Sequence, residues 1–94
     1  MSYDTEIYRL LVFAGPRGLR VKTIARAVFN ASNTFFDPVS YDEVYDYCRR
    51  FLRRKSSNSH SAVEHAEVRG YYRLRRHSEA SRQLVLKFKE DVED

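Results

Sequence analysis

Residues 40–55 read Ser-Tyr-Asp-Glu-Val-Tyr-Asp-Tyr-Cys-Arg-Arg-Phe-Leu-Arg-Arg-Lys, and several independent signals make this a helix. Ser40 is a good N-cap, because its hydroxyl can accept a bond from an orphan backbone N–H of the first turn. Glu43, three residues on, can reach back to the cap and complete a capping box. Val44, Tyr47, Cys48, Phe51 and Leu52 fall at i, i+3, i+4, i+7 and i+8, one continuous apolar stripe. Asp42, Glu43 and Asp46 sit toward the positive end of the helix dipole. Arg49, Arg50, Arg53, Arg54 and Lys55 sit toward the negative end, so the charge order favours the helix and gathers a cationic cluster at one tip.

Upstream, the spacing of Ile7, Leu10, Leu11 and Ala14 predicts a helix over 4–14, with Tyr8, Val12 and Phe13 widening the stripe. Gly15-Pro16 stops it, since proline cannot continue a helix. Leu19-Arg20-Val21 alternates and reads either as a three-residue strand or as the lead-in to a helix over 22–31. That helix has Val21, Ile24, Ala25, Val28 and Phe29 at core spacing, with Arg20, Lys22 and Arg26 elsewhere around it. Residues 31–39 form a loop that Asp37-Pro38 holds extended ahead of the Ser40 cap. Phe35 and Phe36 are adjacent in this loop. Either they plug the core between the second and third helices, or they are exposed for a partner.

Downstream, Ser56-Ser57-Asn58-Ser59-His60-Ser61 is a polar break without periodicity, expected to be mobile. Residues 62–67 and 70–75 read as a β-hairpin turning at Glu67-Val68-Arg69-Gly70, where Gly70 supplies the positive φ of a short loop. Val63 and His65 then share one face of the first strand. Tyr72 and Leu74 take the core face of the second, leaving Tyr71, Arg73 and Arg75 on the other. Ser78 caps a last element over 78–92. Ser81, Leu84, Val85, Phe88 and Val92 suit one helix face, although Leu84, Leu86 and Phe88 also alternate and leave a strand over 84–88 open.

A chain of 94 residues makes one domain, 1–94, with a modest core. No apolar run approaches a membrane span, and the polar, acidic start does not resemble a secretory signal. A single cysteine fits a reducing compartment, so cytoplasmic residence is expected. The net charge of +4 is unevenly spread: −1 over residues 1–47, +7 over 48–82 and −2 over 83–94. A basic middle between acidic ends is a footprint that attracts a polyanion, although a solvated helix end beside a charged hairpin has the same signature. His60, His65, His77 and Cys48 lack metal-site spacing, and Cys48 belongs to the apolar stripe, where a buried inert thiol is usual. Gly15-Pro-Arg-Gly18 is no phosphate loop, because no Gly-Lys-Ser/Thr follows. No enzyme, metal or cofactor is expected.

The order helix, short strand, helix, loop, helix, hairpin, terminal element resembles the winged helix-turn-helix fold over roughly residues 5–76. The resemblance is carried by Ile7 to Gly15, Gly18-Leu-Arg-Val-Lys-Thr-Ile-Ala, the helix capped at Ser40, and Val-Arg-Gly-Tyr-Tyr-Arg-Leu at 68–74. The string is also similar to a group of small bacterial winged-helix proteins that have no assigned activity. The resemblance implies a mainly α fold with a small β-hairpin: a three-helix core, a wing and a C-terminal helix. It also implies a role in DNA binding and transcription regulation, with the third helix in the major groove and the wing on the backbone. By position, the DNA-facing residues are Arg49, Arg50, Arg53, Arg54 and Lys55 on the helix, with Arg69, Tyr71, Arg73 and Arg75 on the wing. Two departures stand out: the 31–39 loop is long, and the start of helix 40–55 exposes Tyr41, Asp42, Tyr45 and Asp46, where base readout would need donors. Binding to double-stranded DNA is therefore expected to be backbone-dominated. The rival expectation is a protein-interaction module using Phe35 and Phe36 and no DNA. The apolar stripe of 78–92 makes that segment a candidate homodimer face.

Overall fold

The computed structural model describes residues 3–92. The chain runs through α1 (Tyr3–Ala14), a 3-10 turn (Gly15–Arg17), β1 (Leu19–Arg20), α2 (Val21–Ser32), α3 (Tyr41–Ser56), β2 (Val63–His65), β3 (Tyr71–Leu74) and α4 (Glu79–Val92). It is a mainly helical fold with one small antiparallel sheet of strand order β1-β3-β2.

The helix at 40–55 is the centre of the packing. Ser40 caps it, its hydroxyl accepting from the Glu43 N–H at 3.5 Å. Val44, Cys48, Phe51 and Leu52 lie in the interior against Ile7 and Leu11 of α1, Ile24, Ala25 and Val28 of α2, and Val63 of β2. Fully burying a Leu- or Phe-sized side chain stabilises by about 1.5–3 kcal/mol. α3 supplies four of the ten residues of this cluster, so it carries a large share of that term.

Tyr47 departs from the expected stripe. It is 39% exposed, edge-on to Tyr3 and stacked on Phe51, and its hydroxyl donates to the Asp4 carboxylate. A phenol needs a polar partner at its tip, which draws the ring to the margin of the core. Phe13, expected to widen the α1 stripe, is half exposed.

Residues 19–20 form a strand: Leu19 pairs with Tyr72 and Arg20 with Tyr71. β2 pairs with the other edge of β3 in the register Val63–Leu74, Glu64–Arg73, His65–Tyr72, so the expected core-face residues do share one face. The strands are shorter than 62–67 and 70–75. Gly18 leads into β1 with φ +76° and ψ −170°, a region that is essentially open only to glycine. A Cβ there would lie 2.2 Å from the Tyr72 carbonyl oxygen.

Residues 84–88 are helical, which settles the alternative over 78–92. The Ser78 hydroxyl accepts from the Ser81 N–H at 3.3 Å, and the buried Ser81 hydroxyl donates to the Ala62 carbonyl at 3.2 Å, tying α4 to the entry of β2. Phe88 is buried and Leu84 and Val85 are half-buried, while Val92 falls outside the described side chains. Among the described residues, no helix is long and apolar enough to cross a membrane.

Two outcomes test this packing. Gly15 also has positive φ, but an added Cβ meets nothing within 4 Å. Gly15→Ala is expected to cost about 1–2 kcal/mol in urea unfolding, and Gly18→Ala more, from backbone strain plus the collision with Tyr72. The Tyr47 phenol is pushed up to about 12, chiefly by its hydrogen bond to Asp4 and then by burial. Against an unfolded value of about 10, the folded state holds this proton more tightly. The associated stability is complete below about pH 10 and is lost as pH rises toward 12. Tyr47→Phe should therefore show a shallower fall in urea midpoint across that window.

Candidate nucleic-acid interface

The nine side chains placed by sequence at a phosphate-facing surface divide into those already engaged within the fold and those that are free to meet an anion. Arg73 and Arg75 are engaged. Glu64 lies opposite Arg73 in the β2–β3 register, and the Arg73 Nε donates to it at 2.8 Å while Nη1 donates to the Pro16 carbonyl at 3.2 Å. The Arg75 guanidinium donates to the carbonyls of Ser61 (2.9 Å), Asn58 (3.0 Å) and Ser56 (3.4 Å) and lies 3.6 Å from Glu64. Their side chains are 19% and 22% exposed. Strand alternation puts both on the outer face, as expected, but the 3-10 turn and the 56–61 loop fold over that face. The polar break is thus organised around Arg75, with the Ser61 hydroxyl donating in addition to the Lys55 carbonyl.

At the end of α3, Arg49 and Arg50 share Asp46, each at 3.0 Å. This i,i+3 and i,i+4 pairing is the one that their spacing allows. Arg53 and Arg54 are exposed and Lys55 is half-buried. The Arg54 guanidinium and Lys55 ammonium lie 5.8 and 5.7 Å from the Phe51 ring centroid, within cation–π range. Arg69 stands exposed at the tip of the β2–β3 hairpin, where the Tyr71 N–H donates to the Val68 carbonyl at 3.1 Å and Gly70 takes φ +87°.

A second cationic group went unassigned in the sequence. Arg20, Lys22 and Arg26 line one shallow depression along α2. Its ends are fixed by aromatic rings: the Arg20 guanidinium lies 6.0 Å from the Tyr71 ring and that of Arg26 lies 5.6 Å from Tyr41, at the start of α3. Tyr71 therefore reaches the candidate surface as a support for Arg20. The only sequence signal was negative, in that all three fall off the α2 core stripe. The Arg20–Tyr71 contact depends on a strand register across some fifty residues of chain. Among the described residues, Arg20, Lys22, Arg26, Arg53, Arg54 and Arg69 form no ion pair with a carboxylate.

Phe35 and Phe36 do not plug the core. Each is 93% exposed, and the two rings meet edge to face with centroids 5.3 Å apart. The loop closes on itself beneath them. The Thr34 hydroxyl accepts from the Asp37 N–H at 2.9 Å and the Asn33 side-chain carbonyl accepts from the Val39 N–H at 3.1 Å, which leaves the Phe pair at the apex.

Cys48 is fully buried, and burial, with the nearby Asp4 charge, pushes its thiol up to about 11. That is the reverse of what a nucleophilic thiolate needs. Among the described residues, no group of three or more His, Cys, Asp or Glu side chains is arranged to hold a metal ion. No protein family, curated protein or solved structure matches the chain.

The division of the arginines is testable by stability alone. Arg75→Ala removes the donor shared by the carbonyls of Ser56, Asn58 and Ser61, while Glu64 keeps Arg73, and is expected to lower unfolding free energy by about 1.5–3 kcal/mol. Arg69→Ala at the hairpin tip should stay within about 0.5 kcal/mol of the parent in the same denaturation experiment.

Proposed function

We propose that this chain is a winged-helix module that binds double-stranded DNA mainly through the phosphate backbone, as a small transcriptional regulator or an accessory DNA-binding protein. The element order and the β1-β3-β2 sheet agree with that architecture, with the β2–β3 hairpin as the wing. The observation that carries the reading is a group of exposed cations that form no ion pair among the described residues: Arg20, Lys22 and Arg26 along α2, Arg69 at the wing tip, and Arg53 and Arg54 at the end of α3. Each phosphate neutralised by such a side chain releases condensed counterions, and this term is independent of sequence. The start of α3 carries Asp42, Glu43 and Asp46 and offers bases no cationic donor. Phosphate contacts therefore dominate the interface, and they position a protein without reading sequence. Arg73 and Arg75 act inside the wing, holding it to the 3-10 turn and to the 56–61 loop.

The exposure of Phe35 and Phe36 favours a second reading, a winged-helix domain that binds protein and no DNA. Anisotropy titration of a labelled random-sequence duplex at several salt concentrations separates the two. The first reading expects a dissociation constant of about 1–100 μM near physiological salt, weakening steeply as salt rises. Arg26→Ala and Arg53→Ala should each reduce the salt slope by about one. Absence of binding even at about 20 mM salt would overturn it, because the nonspecific electrostatic term does not depend on knowing the target.

A further inference from the structure

Among the described residues, two apolar features of the surface are left without a partner. One is the knob formed by Phe35 and Phe36 at the apex of the α2–α3 loop. The other is a groove of about 450 Å³ between the end of α1, β3 and α4, walled by Leu11, Val12, Pro16, Leu74, Val85 and Leu86. They lie toward opposite ends of α1. Thr34 and Asp37, which flank the knob, share a depression with Tyr3 at the start of α1, whereas the groove begins at Leu11. Eight residues of helix span about 12 Å, so the knob does not fill the groove of its own chain.

Their surroundings are opposite in charge. Asp37 follows the knob directly, and Asp42 and Glu43 stand exposed just beyond it. Arg76, His77 and Arg82 border the groove. None of these aspartates, glutamates or arginines forms an ion pair among the described residues. We propose that the groove receives the Phe35–Phe36 knob of a second copy of this chain, with the acidic flank of the knob facing Arg76 and Arg82. The contact joins two different patches, so it is heterologous, and where successive copies do not close into a ring a free knob and a free groove remain at the ends of the assembly. Two aromatic side chains remove about 150–250 Å² each from water. With the matching groove walls the contact stays below the roughly 1,200 Å² of a stable interface. Self-association is therefore weak and reversible.

Sedimentation of the full chain without DNA tests the proposal. The weight-average mass should rise with concentration above that of a monomer and reverse on dilution. Phe35→Ser/Phe36→Ser removes the knob, and Leu86→Arg, at an exposed position on the groove wall, blocks the groove. Each variant alone should be monomeric, with far-UV circular dichroism matching the parent and apparent dissociation constants raised at least about tenfold. Mixed in equal amounts, the two should form a heterodimer and nothing larger, because one intact knob and one intact groove remain. Monomers at all concentrations would overturn the proposal. So would undiminished association of the knobless variant, as in symmetric α4–α4 pairing, or a mixture that stays monomeric. Duplex affinity at low protein concentration plays no part in these outcomes.

Discussion

Two residues of extended backbone, Leu19 and Arg20, couple the hairpin to the helices. β2 and β3 alone would be a two-stranded ribbon, which is marginal in water. The pairing of Leu19 with Tyr72 and Arg20 with Tyr71 makes it a three-stranded sheet whose third member is continuous with the start of α2. Much else depends on that pairing. It sets Arg20 over the Tyr71 ring, brings Pro16 within reach of Arg73, and brings the chain at Gly18 against the backbone of Tyr72. Val63, meanwhile, enters the same interior as Phe51 and Leu52, so the sheet and the helices share one core.

A consequence of this compactness is that formal charge overstates what the surface can offer a polyanion. Of the arginines in the basic middle of the chain, two pair with Asp46 and another two with Glu64. Those four arginines serve as struts of α3 and of the hairpin. Of the arginines assigned to that surface from the sequence, Arg53, Arg54 and Arg69 form no ion pair among the described residues. The cations that join them, Arg20, Lys22 and Arg26, come from a segment whose net charge gave no reason to notice them.

What was legible in the sequence follows from the range of the signals. The helix at 40–55 was readable because cap, stripe and charge order are all local and agree. The helices at 4–14 and 22–31 and the Gly70 turn were readable for the same reason. Strand β1 was ambiguous because a two-residue strand has no periodicity and its partner lies about fifty residues away. Alternation placed Arg73 and Arg75 on the correct face of β3 but carries no information about which loop crosses that face. Tyr47 satisfied the helical stripe, yet its hydroxyl needed Asp4 from another helix, and this moved it to the margin. Adjacent aromatics in a loop suggest a plug, whereas Asn33 and Thr34 close the loop locally and leave Phe35 and Phe36 outside it.

Gly18 has a consequence of a different kind. Any single-base change in a glycine codon that alters the residue either adds a Cβ or ends the chain. At position 15 an added Cβ meets open space, but at position 18 it meets the carbonyl group of Tyr72 in a backbone conformation that is nearly closed to other residues. The two glycines thus face different mutational fates. Over evolutionary time position 15 can drift with modest loss, while position 18 is held fixed by the strand that lies across it.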